Sequence, residues 1–512
     1  MVTRPRRGRG GDRAPHDSSD QPDERHGARH PVVVMAEWMA DVFVDLGYRI
    51  SEGPEVEAEW FNFDALNMDD GHFARAPDRT FFVADPSGRG FGSGLVLRAH
   101  TSPVQVREML GSSPPIRMVS TGRVFRPDPV DATHSPVFNQ LEGLAVDQDL
   151  TMADLRSTLD YFAARVFGPG TVTRLRPHWF AYTDPSAEVD VACVVCRGGG
   201  RGPAGRCRTC GGEGWIEWGG CGMVHPKVLA TCGIDPGRHT AFAFGMGIER
   251  TLMLRHGLAD MREIVDGGVR FTLGTAEPPV SSRAWPGLGL TRSQGVRRLV
   301  GRALARAGFV ETPTFPFVGA TVWDAFGLAS DDPRRDALTL VNPISLGEPA
   351  LRTTLLPGLL AALRRDAEHG RPRAGLFEQG TAFTSPPRAC RPPCLPADRR
   401  PTDEQLRALR ALVPAQPQHL AAVLDGESGW DEVVAAARAA ADAVGADLTT
   451  RGARRPPWLP GRCVELLAGS TVLGHAGELC PETVSALGLP RGTSAMEMDL
   501  TTLEHLMEGE EP

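Results

Sequence analysis

Ala241-Phe242-Ala243-Phe244-Gly245-Met246-Gly247-Ile248-Glu249-Arg250 is the most informative stretch of this 512-residue chain. Its first half alternates like a β-strand, and two glycines then lead into a helix. Glycine lets a ring or a phosphate approach the backbone where a Cβ would collide, and Arg250 places a planar guanidinium one turn into that helix. The stretch therefore predicts a phosphate-binding corner between a strand and a helix.

A second pattern lies far upstream of this corner. Ile116 to Arg126 alternates like a strand that ends in an arginine, Pro127 to Pro136 is typical of a loop, and Val137 to Val146 alternates again. The two segments predict a strand-loop-strand unit. With Arg126 and Asp128 at its turn and Arg250 in the later corner, this unit resembles motifs 2 and 3 of class II aminoacyl-tRNA synthetases.

Five further motifs narrow the resemblance to the catalytic α subunit of bacterial phenylalanyl-tRNA synthetases. The match covers roughly residues 32 to 272 and is specific, because the separated motifs occur in the family's order. These motifs are Asn62-Phe63-Asp64-Ala65-Leu66-Asn67, His100-Thr101-Ser102-Pro103-Val104-Gln105, Asp131-Ala132-Thr133-His134-Ser135-Pro136, Pro185-Ser186-Ala187-Glu188-Val189-Asp190 and Gly220-Cys221-Gly222-Met223-Val224-His225-Pro226.

The second half, from about 291 to 503, is similar to the catalytic-like domain of the β subunit of the same enzymes. It does not repeat GxGxxR, so we expect a degenerate mate without an active site that covers the surface around Leu46 to Ala58. The motifs that carry this resemblance are Asn342-Pro343-Ile344-Ser345, Leu351 to Leu360, Leu376-Phe377-Glu378-Gln379-Gly380, Pro460-Gly461-Arg462 and Gly477-Glu478-Leu479.

The resemblance implies an α+β fold of two class II synthetase-like domains, each a mostly antiparallel sheet flanked by helices, packed as an intramolecular pseudo-dimer. Composition and periodicity divide the chain further. The predicted parts are a disordered tail (1–31), a catalytic domain (32–272) with a zinc-knuckle insert (193–214), a linker (273–290), and a β-subunit-like domain (291–512) with a Pro-rich loop (384–418).

Four of the ten cysteines are spaced like metal ligands. Cys193 and Cys196, then Cys207 and Cys210, form two CxxCxGxG units whose glycines permit tight turns. Four thiolates suit a tetrahedral Zn²⁺ and leave no open position, which predicts a structural metal. Cys221 competes as a ligand, although a small buried residue is the simpler interpretation there. The paired units are similar to the zinc repeats of J-domain co-chaperones.

The resemblance also assigns roles for adenylate formation, in which a carboxylate attacks the α-phosphate of ATP. Arg126 would bridge the amino-acid carboxylate and the α-phosphate, and Arg250 would hold the far end of the triphosphate. Asp128 and Glu142 would face the adenine side and Mg²⁺, while Phe138 would stack on the base. This chemistry needs no covalent nucleophile on the enzyme. It depends on positioned cations and Mg²⁺.

A second set of residues matches family positions that hold the amino acid. One group would grip the amino and carboxyl groups of the substrate: His100, Ser102, Gln105, Gln140 and Glu142. Another would meet its side chain: Phe180, Tyr182, Ala243 and Gly245. Tyr182 departs from the family, which usually has phenylalanine there, so its hydroxyl needs a partner in the protein, in water or on a modified substrate. Asn139, where the family usually has histidine, is a second departure.

Composition bounds the function without choosing it. A net charge of -8 gives no general attraction to nucleic acid, and no apolar run reaches the length of a membrane span. We expect a cytoplasmic enzyme with no membrane partner. With 55 Lys+Arg against 63 Asp+Glu, no basic stripe is evident, and the tRNA-binding, editing and anticodon modules of the resembled enzymes have no counterpart here.

Three functions follow from these observations. The leading hypothesis is ATP-dependent activation of phenylalanine or a related aromatic amino acid, with transfer to a carrier protein or small amine. The alternatives are a minimal phenylalanine-tRNA ligase that charges tRNA, and a non-catalytic regulatory or binding paralogue. The acceptor, the aromatic side chain that is activated and the oligomeric state, including a homodimer, stay open.

Overall fold

We analysed a computed structural model of the chain. It describes residues 27–85, 91–193, 195–202, 205–207, 209–265, 268–275, 289–370, 375–385, 392–393, 395–426 and 429–508. None of the helices in these ranges combines the length and apolar character that a bilayer crossing needs.

The first half is built on one seven-stranded sheet with helices packed against it. The strands of this half are β1 Arg49–Ile50, β2 Val56–Ala58, β3 Leu95–Leu97, β4 Ile116–Phe125, β5 Val137–Asp147, β6 Thr173–Phe180, β7 Thr183–Ala192, β8 Arg201–Gly202, β9 Gly205–Arg206, β10 Trp215–Val224 and β11 Thr240–Gly247. Of these, β2 with β3 and β8 with β9 form separate two-stranded ladders. Its helices are α1 Pro31–Val44, α2 Glu59–Asn62, α3 Ser102–Gly111, α4 Met152–Phe167, α5 Pro226–Thr231, α6 Ile248–His256, α7 Arg262–Val265 and α8 Gly268–Thr275. Short 3₁₀ helices span Asp64–Leu66 and Phe73–Arg75.

The second half repeats this architecture. Its strands are β12 Phe309–Glu311, β13 Phe317–Val318, β14 Ala350–Leu351, β15 Gly375–Thr381, β16 Gln418–Leu424, β17 Thr449–Gly452, β18 Trp458–Ala468, β19 Thr471–Leu479 and β20 Ser494–Asp499. Its helices are α9 Arg292–Arg306, α10 Thr321–Ala325, α11 Leu356–Glu368, α12 Asp403–Arg410, α13 Asp431–Asp442, α14 Pro481–Ala486 and α15 Leu500–Glu508, with a 3₁₀ helix at Pro333–Arg335.

The two large sheets have corresponding strand orders. The first is β1-β4-β5-β11-β10-β7-β6 and the second is β12-β15-β16-β20-β19-β18-β17. Each has one parallel pair at its edge, β1 with β4 and β12 with β15, and is antiparallel elsewhere. Two buried arginines occupy matching places, since Arg98 Nε donates to the Arg123 carbonyl (2.8 Å) and Arg352 Nε to the Thr381 carbonyl (3.1 Å). The predicted pair of class II synthetase-like sheets is therefore observed.

Local sequence accounts for the elements that carry the motifs. β4 and β5 pair without interruption from Ile116 opposite Val146 to Phe125 opposite Val137, as their alternation predicts. Helix α4 begins at a capping box in which Thr151 and Asp154 exchange hydrogen bonds. Its apolar face is buried in the first half: Leu155, Leu159, Phe162, Ala163 and Val166.

The prediction of a disordered tail over 1–31 is wrong for residues 27–31. Residues 1–26 lie outside the described residues, but Ala28 forms a β-bridge with Val310 and Arg29 Nε lies 2.7 Å from a carboxylate oxygen of Glu311. His30 then caps helix α1. Residues 27–31 are therefore part of the folded molecule, because they pair with a strand that is remote in sequence.

The predicted domain limit at 272 falls within helix α8. Helix α8 continues to Thr275, and Val269 on this helix belongs to a hydrophobic cluster with Leu356 and Leu376 of the second half. The end of the predicted catalytic domain thus packs on its mate. Of the predicted linker, 273–290, residues 276–288 lie outside the described part.

The Pro-rich segment 384–418, predicted as a loop, contains helix α12 and packs on the first half. Leu406 and Leu409 of α12 join a hydrophobic cluster with Phe81 and Val96. The side chain of Gln416 accepts hydrogen bonds from the backbone amides of Glu55 and Val56. Residues 386–391 and 394 of this segment lie outside the described residues. The Pro-rich segment is therefore a connection that packs against the first half through apolar contacts.

Candidate active site

Two arginines from separate motifs line one cavity. Arg126 directly follows β4, and its amide donates to the Pro136 carbonyl (3.0 Å) beside β5, whereas Arg250 lies in the first turn of α6. Both line a cavity of about 440 Å³ over strands β5, β10 and β11. The Arg126 side chain is exposed to solvent, with its guanidinium carbon 5.1 Å from the centre of the Phe138 ring. Two arginines from separate motifs therefore line the same cavity.

The other predicted site residues collect around the same cavity, with one exception. His100 is not part of its lining, but its ring stacks on that of Tyr182 with centroids 6.3 Å apart. The predicted residues that line the cavity are Ser102, Gln105, Arg126, Asp128, Phe138, Gln140, Glu142, Phe180, Tyr182, Ala243, Gly245 and Arg250.

Glu142 lies on β5, and its buried carboxylate faces the beginning of helix α3. One oxygen accepts the Thr101 amide (3.2 Å), and the other accepts the Ser102 hydroxyl and the Gln105 amide nitrogen, both at 2.7 Å. Burial raises the pKa of Glu142, and these hydrogen bonds oppose that shift. Because the carboxylate is already hydrogen-bonded three times, it holds Ser102 and Gln105 in fixed positions at the cavity wall.

His100 and Tyr182 form a polar pair beside the cavity. Burial and the nearby Arg126 lower the pKa of His100 to about 3, so the ring is neutral at physiological pH. Neither ring nitrogen of His100 has a hydrogen-bond partner among the described residues. Burial and the Glu142 carboxylate raise the pKa of Tyr182, which keeps the phenol protonated. Both groups are therefore uncharged next to the arginine.

Glycines bring the cavity floor close to the aromatic rings. Phe180 and Tyr182 stack with centroids 5.5 Å apart and planes 11° from parallel. A Cβ on Gly220 would lie 2.9 Å from the Phe180 ring, and one on Gly245 would lie 3.0 Å from Gln140 Nε2. Since real Cβ atoms do not approach a ring so closely, glycine is required at 220 for Phe180 to keep this position. The result is a flat slot with polar groups at one end.

Sequence reasoning missed a buried carboxylate at this site. Glu249, which also lines the cavity, accepts the backbone amide of Asn139 (2.9 Å) and its side-chain amide (2.8 Å). Burial raises the pKa of Glu249 to about 7. Its position directly before Arg250, in the first turn of α6, was the available signal. The departure noted at Asn139 is therefore matched to an acidic partner.

Two further acidic residues of the cavity come from neighbouring strands. Glu188 of β7 and Glu217 of β10 both line it, and the guanidinium of Arg176 forms an ion pair with Glu188 and lies 3.8 Å from Glu217. These strands pair only in the folded chain, since the insert separates them in sequence. No local pattern could have grouped these two acids.

The four cysteines of the insert converge at the end of the β7–β10 pair. Their sulfur atoms all lie within 4.8 Å of one another, with Cys193 and Cys207 3.8 Å apart and Cys196 and Cys210 3.6 Å apart. A tetrahedron with Zn–S bonds of about 2.3 Å has edges of about 3.8 Å, so the arrangement fits this metal. Backbone amides of Gly200 and Gly214 donate to two of the sulfurs, which suits thiolates. Among the described residues Cys221 is not part of this group.

Two models of known families match this chain, one in each half. A model described as tRNA synthetases class II core domain (F) matches residues 17–274, half of the chain. The chain belongs to the class II tRNA synthetase core family. A second model, the phenylalanyl tRNA synthetase beta chain CLM domain, matches residues 278–500. The class II synthetase is therefore a ligase, and its second half is similar to the β-chain domain that the sequence predicts.

Curated relatives of this synthetase align with its first half. The phenylalanine--tRNA ligase alpha subunit of Streptomyces avermitilis is 59% identical over 248 residues, which are 48% of this chain and 69% of that subunit. The Thermobifida fusca subunit of the same name is 58% identical over 247 residues, 48% of this chain and 66% of its own length. A solved pyrrolysyl tRNA synthetase from Desulfitobacterium hafniense covers 46% of this chain and 73% of its own, with 16% identity and a TM-score of 0.34.

Proposed function

We propose that this synthetase activates phenylalanine with ATP and transfers the resulting aminoacyl group to tRNA. The observation that carries the proposal is the meeting of Arg126 and Arg250 at one cavity, beside a slot of aromatic and small residues. The family and the name of the α-subunit relatives support both steps. The sequence alone favoured a carrier protein or small amine as acceptor, whereas the relatives favour tRNA.

In the first step, positioned charges bring two anions together. Arg126 would lie between the amino-acid carboxylate and the α-phosphate, and Arg250 would hold the far end of the triphosphate. Phe138 offers an aromatic face for the adenine. ATP arrives with Mg²⁺, which neutralises charge on the phosphates. Because Glu142 already accepts three hydrogen bonds, Asp128 is the better candidate of the two predicted acids to face the metal.

Recognition of the amino acid follows from the Glu142 network. Glu142 supplies one negative charge for the substrate ammonium and orients Ser102 and Gln105, while Phe180 and Tyr182 stack beside the place of the ring. Ala243 and Gly245 set the depth available to the ring and its substituents. The neutral phenol of Tyr182 is the group that would favour a hydroxylated or otherwise modified ring over phenylalanine.

We infer that the second half has no catalytic site of its own. By sheet register Glu497, opposite Ala421, takes the place that Gly245 has opposite Glu142. The Glu497 carboxylate accepts the Leu355 amide (3.0 Å) and lies 2.7 Å from Nδ1 of His419. A charged side chain thus fills the space that the first half keeps open.

Two assays test the proposed function. Phenylalanine-dependent exchange of pyrophosphate into ATP measures the first step, and charging of unfractionated bacterial tRNA with labelled phenylalanine measures the second. We expect both in the wild type. Arg126→Ala and Arg250→Ala should each lower exchange by about 10² or more, the typical effect of removing one donor that stabilises developing charge. Arg156→Ala, on the exposed side of α4, is the control.

Each outcome separates the candidate functions. Exchange without any charging of tRNA would refute the second step and return the acceptor to a carrier protein or small amine. Absence of exchange with phenylalanine, tyrosine and ring-substituted analogues would leave a non-catalytic paralogue. If Tyr182→Phe shows the same ranking of these amino acids as the wild type, the phenol has no part in selectivity.

A further inference from the structure

The insert 193–214 is basic in a chain that is acidic overall. Four arginines stand against one acidic residue, Glu213, in this segment, while the whole chain has 55 Lys+Arg and 63 Asp+Glu. Of these arginines, Arg197, Arg201 and Arg206 are described, and all three are exposed. Four thiolates with Zn²⁺ would carry a net charge of -2, but at the buried centre of the insert. Its outer surface is positive.

The described arginines of the insert have no carboxylate partner in the part of the chain that the structure describes. Among the residues that the structure describes, no carboxylate forms an ion pair with Arg197, Arg201 or Arg206. The neighbouring strand β6 differs, because Arg174 lies 2.8 Å from Asp190 and Arg176 pairs with Glu188. Those two arginines are already neutralised, so the insert is the part of this surface with positive charge to spare.

The backbone of the insert places two of these charges face to face. Strands β8 and β9 form a two-stranded ladder in which Arg201 is directly opposite Arg206. Like charges in this position repel one another and destabilise the pair. An anion bound between them would remove that repulsion. Arg197 lies nearby in sequence at a turn with φ of 52°, directly after the metal ligand Cys196.

The insert is attached to the strands that line the active-site cavity. β7 leads from Glu188, which lines the cavity, to Cys193, and β10 leads back from Trp215 to Glu217, which also lines it. At about 3.3 Å per residue, the two ends of the insert lie roughly 10 to 17 Å from these cavity residues. A nucleic acid whose 3′ end reaches the cavity would carry several phosphates at that distance.

We propose that the metal-stabilised insert binds the sugar-phosphate backbone of the tRNA near its acceptor end. The inference rests on the proposed function, since tRNA is the polyanion that this reaction brings to the cavity. Arg206 Nε donates to the Gly211 carbonyl, but none of the three arginines has a carboxylate partner among the described residues. Exposed arginines of this kind suit phosphates, which they contact through a planar fork. The metal centre would keep the short β8–β9 ladder rigid, so that little conformational entropy is lost on binding.

The test compares two triple variants of the full-length, zinc-loaded protein. Arg197→Ala, Arg201→Ala and Arg206→Ala are combined in one variant. Arg407→Ala, Arg410→Ala and Arg438→Ala, exposed on α12 and α13, are combined in a control with the same change of charge. The assays are phenylalanine-dependent pyrophosphate exchange and charging of unfractionated bacterial tRNA across a range of KCl concentrations.

We expect the insert variant to raise the KM for tRNA tenfold or more while exchange and zinc content stay at wild-type values. The slope of log(kcat/KM) against log[KCl] should fall by about 2 to 3, if each arginine contacts one phosphate. The control should change neither. A charging enzyme whose insert variant keeps the wild-type KM and salt slope would overturn this inference alone. An enzyme that exchanges pyrophosphate but charges no tRNA would overturn the proposed transfer step and this inference together.

Discussion

Glu249 is a buried carboxylate that is hydrogen-bonded to the backbone and side chain of Asn139. Both of its oxygens accept the Asn139 amide, and burial raises its pKa to about 7 from an ordinary value of 4.5. A carboxyl group with a higher pKa in the folded state takes up a proton on folding. Its contribution to stability is therefore complete below about pH 4.5 and is lost as the pH rises through 7.

This pH dependence predicts the behaviour of Glu249→Gln, which cannot ionise. The melting temperature of the wild type relative to the variant should fall as the pH is raised from 5.5 to 8, because only the wild type then holds a buried negative charge. Scanning calorimetry at several pH values measures the difference. Parallel pH profiles for the two proteins would show that Glu249 does not titrate in this range.

At the scale of elements, the zinc-knuckle insert is an extension of two paired strands. Its cysteines Cys193, Cys207 and Cys210 belong to the same hydrophobic cluster as Trp218 of β10 and Phe162 of α4. A metal at this place would join the outer end of β7 to β10 and cover the apolar residues beneath it. Loss of the metal should therefore lower the stability of the sheet itself.

We expect one zinc ion per chain, and almost none in Cys210→Ser. The variant should also lose several degrees of thermal stability, because a metal site of this kind contributes binding free energy to folding. Elemental mass spectrometry and thermal unfolding provide the two measurements. Cys480→Ser, half-buried and outside the cluster, is the control and should keep its zinc. Fully stable wild-type protein without metal would contradict the assignment.

At the scale of the molecule, the two halves are joined by polar contacts as well as by apolar packing. Arg298 Nη1 lies 2.8 Å from Asp41, and Asn342 of the second half is bound entirely to the first. The Asn342 side chain accepts the Phe82 amide (2.9 Å) and donates to the carbonyls of Pro77 (2.6 Å) and Thr80 (2.8 Å). One amide thus satisfies three backbone groups of the other half.

Asn342→Ala should weaken this junction. It removes three hydrogen bonds, each worth about 1 kcal/mol net, so the melting temperature should fall by roughly 3 to 8 °C. Ser345→Ala removes an exposed hydroxyl that caps only the Gly347 amide and is the matched control. Equal melting temperatures for the two variants would mean that the Asn342 contacts contribute nothing to stability.

The amino-acid sequence by itself determined what depends on neighbours along the chain. Alternation predicted β4 and β5 to within a residue of their ends, and the paired CxxC units predicted four converging sulfurs. The motifs also named residues that line one cavity, because a resemblance in fixed order carries the arrangement of a whole site with it. Periodicity and residue spacing are local properties, so they can be read from the sequence without knowledge of the fold.

Only the tertiary structure decided which remote groups meet. The hydrogen bonds of Glu249 with Asn139 and the packing of α12 and α8 on the other half have no local signal. The sequence shows that the insert is rich in arginine, but only the structure shows that Arg197, Arg201 and Arg206 are exposed. Such contacts depend on strand register and on burial of apolar faces, which act across hundreds of residues and are established only when the two sheets form.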